Sequence, residues 1–224
     1  MGNPQERLRV FLIDLDDTVY PSDCGLMKEV GRLILRYMVE RMGIPPEEAA
    51  ALRRQYYLQY GTTLRGLQEH HQVDTEDYLD FVHQIPLERY LRPDPELDAA
   101  LAAIPQEKVI FTNATAEHAW RVLELVGIRH HFRRVVDLRA LRYANKPDPR
   151  AYQRALALLE APAEACALVE DSVRNLQPAK ALGMFTVLVG QDGADEEGVD
   201  LAIPRLADLP AVLRTLDRGG LVRR

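Results

Sequence analysis

"FLIDLDDTVYP", residues 11–21, sets three carboxylates within four positions directly after an apolar run. Phe11, Leu12 and Ile13 gain by leaving water, whereas Asp14, Asp16 and Asp17 repel one another and each loses hydration if enclosed. A buried strand that ends this way needs something to offset that cost.

Apolar runs of strand length recur along the chain: RVFLID at 9–14, KVIFTN at 108–113, RVVDL at 134–138, ACALVED at 165–171, MFTVLVG at 184–190 and DLAI at 200–203. Their apolarity is continuous rather than alternating, which predicts strands covered on both faces, as in a parallel sheet. Residues 114–126, 148–160, 173–182 and 207–216 fit crossover helices, with Gly127 and Gly183 where helix-ending glycines belong. The fold class is α/β, with a doubly wound, mostly parallel sheet.

Between the first two strands the pattern breaks for roughly 85 residues, far beyond an ordinary connection. That gap reads as an α-helical insertion. Met27, Val30, Ile34, Tyr37, Met38 and Arg41 follow one helical face, and PPEEAAALRRQYYLQY at 45–60 opens with prolines suited to a helix start. Asp74 is placed to cap TEDYLDFVHQI, residues 75–85. The chain is thus expected to divide into a core, residues 1–20 and 95–224, and a helical cap domain, residues 21–94, lying over the carboxyl edge of the sheet.

Composition limits the partners. Of 224 residues, 47% are hydrophobic and 28% charged, enough to bury a core without disulfides. The net charge of -6 argues against nucleic-acid polymers, and the basic end DRGGLVRR reads as a frayed tail. No apolar stretch approaches the ~20 residues that span a bilayer, and the start lacks a secretory signal, so a cytoplasmic location is expected; the chain is taken as a monomer or homodimer. Cys24 and Cys166 have no metal-ligand spacing; Cys166 reads as strand core and Cys24 as packing near a hinge.

Ligands of open α/β sheets bind outside the carboxyl ends of the strands. There the sequence places Asp14, Asp16, Asp17 and Thr18, then Thr112 and Asn113, then Glu170, Asp171 and Ser172, with Lys146 ahead of a helix in NKPDPRAY. Five acids, three hydroxyls and one cation on one edge suit a phosphate and a divalent cation. A carboxylate approaches a phosphate dianion only where charge is neutralised, and Mg²⁺ takes a few carboxylate and carbonyl oxygens while keeping waters.

DLDDT (14–18), FTNA (111–114), KPDP (146–149) and VEDS (169–172), in this order and at these strand ends, resemble the four motifs of the haloacid dehalogenase-like hydrolases. The resemblance covers nearly the whole chain. It implies that Asp14 is the nucleophile, forming an aspartyl-phosphate, and that Asp16 is the general acid and base. Asp17 would be a neighbour without a chemical role. Thr112, with Asn113, would bind the phosphoryl group, and Lys146 would steady it and Asp14. Mg²⁺ would be held by Asp14, Asp171 and the carbonyl of Asp16, with Glu170 acting through a water. One common form of the fourth motif carries a second acid four residues after the first; Asn175 stands there, while adjacent Glu170 and Asp171 match another form.

A narrower resemblance lies in DTVYPSDCGLM (17–27), YGTTLRGL (60–67) and PLERYLRPDPEL (86–97), which look like the pyrimidine 5′-nucleotidase branch. It implies hydrolysis of UMP and CMP, with a nucleoside 5′-monophosphate as partner; the cap itself is expected to close over the substrate about hinges at 20–22 and 92–95. The same core motifs would serve phosphatases of other small esters, such as phosphoglycolate or a sugar phosphate. A phosphosugar mutase or a non-catalytic phosphate-binding regulatory protein would also fit. Within the cap, Arg65, in a loop-like stretch between Gly61 and Gly66, is the candidate substrate contact. Tyr56, Tyr57, Tyr60, His70, His71 and Phe81 mostly read as packing between cap helices. Adjacent His70 and His71 point apart on a helix and do not make a zinc site.

Overall fold

The structure, a computed structural model, describes residues 8–190 and 195–217. Its strands are β1 (Val10–Ile13), β2 (Glu107–Phe111), β3 (Arg134–Val136), β4 (Cys166–Glu170), β5 (Phe185–Val189) and β6 (Leu201–Ile203). They form one sheet in the order β3-β2-β1-β4-β5-β6, every pair parallel. The expected α/β class and strand positions are therefore those observed. The basic tail at residues 218–224 lies outside the described residues.

Both faces of the sheet are covered, which is why its strands read as unbroken apolar runs. Along β1, Phe11 and Ile13 enter one core cluster, while Val10 and Leu12 enter the other. Nine α-helices occur among the described residues: α1 (Leu26–Glu40), α2 (Pro46–Tyr60), α3 (Thr63–His70), α4 (Thr75–Val82), α5 (Pro95–Ala102), α6 (Ala116–Val126), α7 (Pro149–Leu159), α8 (Val173–Ala181) and α9 (Leu209–Asp217). Helix α7 has Asp148 as its N-cap, accepting from the Arg150 amide at 2.9 Å, and Pro149 at its first position. Gly127 ends α6 at φ 83°. None of these helices is long and apolar enough to cross a membrane.

Register decides what meets at the sheet's carboxyl edge. Ile13 pairs with Ile110 on one side and Val169 on the other, so Asp14 emerges level with Phe111 and Glu170. The Asp14 amide donates to the Val169 carbonyl at 2.9 Å, extending the ladder to the point where the acids begin.

Helices α1 to α4 fill the gap between β1 and β2. The packing of α1 on α4 uses Tyr37 edge-on to Tyr78 and Phe81, with ring centroids 5.1 and 5.4 Å apart. Tyr56 stacks on His70 at 5.4 Å, and its hydroxyl meets His71 Nε2 at 2.8 Å, so these rings serve helix packing. Arg65 is helical rather than in a loop: Thr62 accepts from its amide at 3.2 Å, capping α3 immediately after Gly61.

The insertion is fastened to the sheet side by polar contacts. Asn145 Nδ2 donates to the Tyr60 carbonyl at 2.9 Å, and Arg174 Nη1 to the Tyr57 carbonyl at 2.8 Å. Glu76 accepts from Arg139 and from the Tyr143 hydroxyl, both at 2.6 Å. At the tightest approach, Gly61 has φ 87°, and an added Cβ would lie 2.3 Å from Pro147 Cδ and 2.6 Å from the Lys146 carbonyl oxygen. Both conformation and space demand glycine here. Gly61→Ala is expected to lower unfolding stability by about 1–3 kcal/mol, as overpacking does, measured by denaturant titration.

Candidate active site

The first acid emerges straight from β1. Asp14 is only 7% exposed, and Lys146 Nζ donates to its Oδ1 at 2.5 Å and to Glu170 Oε2 at 2.6 Å. Lys146 is itself 1% exposed, with its ammonium 5.1 Å from the Phe111 ring centre. Asn113, one residue beyond Thr112 at the end of β2, clamps the Lys146 backbone from both sides. Its Oδ1 accepts from the Lys146 amide at 2.8 Å, and its Nδ2 donates to the Lys146 carbonyl at 3.1 Å. Segments far apart in the chain thus hold one ammonium between two carboxylates.

Charge is not balanced by that lysine. Asp14, Glu170 and Asp171 each offer an oxygen, all within 4.8 Å of one another. Glu170 and Asp171 are in side-chain contact, a position two ionised carboxylates hold only by sharing a proton or a cation. Burial, then the Glu170 charge, push Asp14 up to about 8 against the pull of Lys146. Burial likewise pushes Glu170 up to about 7, and burial with the Asp16 charge raises Asp17 to about 6. Burial lowers the Lys146 ammonium, but Asp14 and Glu170 outweigh it, and the net shift is upward. An oxygen-only donor set with excess negative charge fits a hard divalent cation such as Mg²⁺.

Asp16 stands apart from this knot. It accepts from the Tyr20 hydroxyl at 2.5 Å, and His118 Nε2 lies 3.9 Å away. His118 is buried, stacked on His83 with ring centres 4.3 Å apart, and burial lowers its pKa, leaving the imidazole neutral at pH 7. Tyr20 carries a sequence signal, the YP after the acids, whereas an isolated histidine on a helix carries none.

These groups form the polar wall of a cavity of about 260 Å³. Asp14, Asp16, Asp17, Asn113, Lys146, Glu170 and Asp171 line it, opposite Val30, Ile34, Leu64 and Leu79 of the insertion. Thr112 is not on its wall; it is 1% exposed and its Oγ1 accepts from the Ala114 amide at 3.0 Å. Arg65 is also absent from the wall, because its guanidinium pairs with Glu69 one helical turn on. Arg53 of α2 and Arg174 of α8 line the cavity instead, and neither was singled out by a motif.

A hydrolase family model, the haloacid dehalogenase-like hydrolases, matches residues 8–183, and the chain belongs to that family. Among relatives, phosphate metabolism protein 8 of Saccharomyces cerevisiae is 26% identical over 206 residues, 84% of this chain and 63% of that protein. The chain therefore spans less than two thirds of the length of that relative. The glyceraldehyde 3-phosphate phosphatase of Methanopyrus kandleri is 25% identical, with 93% of this chain and 98% of that protein covered. A solved phosphatase of the same family from Thermococcus onnurineus superposes with a TM-score of 0.61 at 20% identity, covering 92% of this chain and 98% of the other, and shares its fold.

Because folding raises the Asp14 and Glu170 pKa values, stability is full below the ordinary carboxylate range and is lost as pH rises through about 7 to 8. In chelator-containing buffer the thermal midpoint is expected to fall from about pH 5 to about pH 8, and added Mg²⁺ to reverse much of that fall, by differential scanning fluorimetry.

Proposed function

We propose that this chain is a Mg²⁺-dependent phosphomonoester hydrolase that works through an aspartyl-phosphate, with UMP and CMP as substrates. The observation that carries the reading is the buried Lys146 ammonium held between Asp14 and Glu170, with Asp16 two residues from Asp14 on the same cavity wall. Asp14 attacks phosphorus, forming an Asp14 oxygen–phosphorus bond as the ester bond breaks, while Asp16 gives its proton to the departing oxygen. Asp16 then takes a proton from a water whose oxygen attacks phosphorus, which breaks the bond to Asp14 and releases inorganic phosphate.

Lys146 steadies Asp14 and faces the phosphoryl charge. Asn113 fixes the Lys146 backbone, and Thr112 keeps its O–H as a donor, since only its lone pair is used by Ala114. Asp14, Asp171 and the Asp16 carbonyl would hold the cation, with Glu170 reaching it through a water. When bound, the cation supplies the positive charge that lets a carboxylate and a phosphate approach.

Residues 21–94 act as a cap over the core of residues 1–20 and 95–224, hinged at 20–22 and 92–95. Supporting this division, cap residues Gly61, Thr62, Thr63 and Leu64 line the cavity with the core acids. The same GTT segment carries the resemblance to pyrimidine nucleotidases.

Two experiments test the reading. Phosphate release with Mg²⁺ present is expected to favour UMP and CMP over AMP, GMP and phosphoglycolate; preference for phosphoglycolate would retain the mechanism and overturn the nucleotide assignment. Asp14→Asn is expected to cut turnover at least ~10³-fold while keeping cooperative unfolding, and substantial residual release would overturn the nucleophile. A mutase would show itself by an isomerised product that stays phosphorylated.

A further inference from the structure

Arg53 stands out in the part of the cavity wall built by the insertion. Its guanidinium makes no hydrogen bond or ion pair among the described residues, and its Nε is buried without a partner. Every carboxylate on the cavity wall comes from outside the insertion, from Asp14, Asp16, Asp17, Glu170 and Asp171. Val30, Gly31, Ile34, Tyr78 and Leu79 share the insertion's part of the wall, with Gly31 and Tyr78 close to Arg53. The Nε of this half-buried guanidinium fork has lost water without gaining an acceptor, a state that favours whatever brings one.

The neighbouring helix makes room for this fork. Gly31 lies inside α1, where glycine disfavours helix formation. A Cβ at Gly31 would stand 2.8 Å from Arg53 Nη2 and 3.3 Å from its Cζ. Gly31 thus lets the guanidinium approach the α1 backbone closely at the cavity wall. The burial-driven rise of the nearby Tyr78 phenol is opposed by the Arg53 charge, which places that charge within the same pocket.

We propose that Arg53, seated on Gly31, is the specificity-determining residue of this cavity, donating to a carbonyl or carboxylate oxygen on the alcohol part of the phosphate ester. This rests on the phosphatase reading above. The pair of N–H donors selects esters whose far end presents an acceptor: a pyrimidine carbonyl or a small-acid carboxylate. An ester without one leaves the arginine unpaired, so the site discriminates against it.

The test compares the wild type with Arg53→Met and Arg53→Lys on CMP, phosphoglycolate and phenyl phosphate, with Mg²⁺ present. In Arg53→Met the ratio of kcat/KM for an acceptor-bearing ester to that for phenyl phosphate is expected to fall at least ~10-fold, mainly through KM, with partial recovery in Arg53→Lys. A fall confined to CMP identifies a pyrimidine carbonyl as the acceptor; one confined to phosphoglycolate identifies a carboxylate. Equal losses on all three esters, or no loss on any, overturn the proposal. Gly31→Ala, which displaces the fork without removing it, is expected to reduce the same ratio; an unchanged ratio with a folded protein also counts against it. If the wild type hydrolyses none of the esters, the phosphatase reading fails separately. Arg53 is then judged by thermal shift: CMP or phosphoglycolate must stabilise the wild type more than Arg53→Met, and equal shifts overturn the role.

Discussion

One buried ammonium organises this molecule. Lys146 reaches Asp14, 132 positions earlier, and Glu170, 24 positions later, and all three are largely withdrawn from water. Ions lose several kcal/mol each on burial, so the ammonium is held there by its two carboxylates, whose excess negative charge in turn needs a proton or a cation. Removing the lysine would leave the buried carboxylates uncompensated and costs about 3–5 kcal/mol. The parallel sheet supplies the rigidity: adjacent β1 and β4 deliver their carboxylates at the same level, and β2 delivers the Asn113 that fixes the lysine backbone.

The same loop links the site to the helical insertion. Asn145, next to Lys146, donates to the Tyr60 carbonyl, and Gly61 follows with its backbone against Lys146 and Pro147. The insertion therefore registers on the buried lysine itself. This contact explains the glycine of the GTT segment: any Cβ would push the insertion away from the lysine loop that it meets.

The cavity has two unlike halves. Its sheet side carries excess negative charge that a cation and a phosphate together would balance, while its insertion side is apolar apart from hydroxyl-bearing residues, His83 and the arginine on Gly31. Low polarity on one side strengthens every electrostatic contact on the other, which suits chemistry in which charge moves between carboxylate and phosphoryl oxygen.

Much of this was legible from local pattern. Continuous apolar runs located the strands, because a sheet covered on both faces needs no polar alternation. The four acidic and basic motifs named the edge residues, because catalytic groups cluster where parallel strands end. Local signals failed where partners are distant. Arg65 looked like the cap's contact because it stands between glycines, yet Thr62 starts a helix there and Glu69, one turn away, takes the charge. Arg53 sits within a polar helix and shows no signal until Gly31, from another helix, is folded beneath it. His118 gives no cue beside Asp16, since 102 positions separate them in the chain. Hydrophobicity and spacing, each within its own short segment, were enough to place the strands and the edge acids, and the KPDP motif was enough to name the lysine. Tertiary structure alone decided which cation faces the cavity and which pairs locally, because that choice depends on side chains brought together from separate helices.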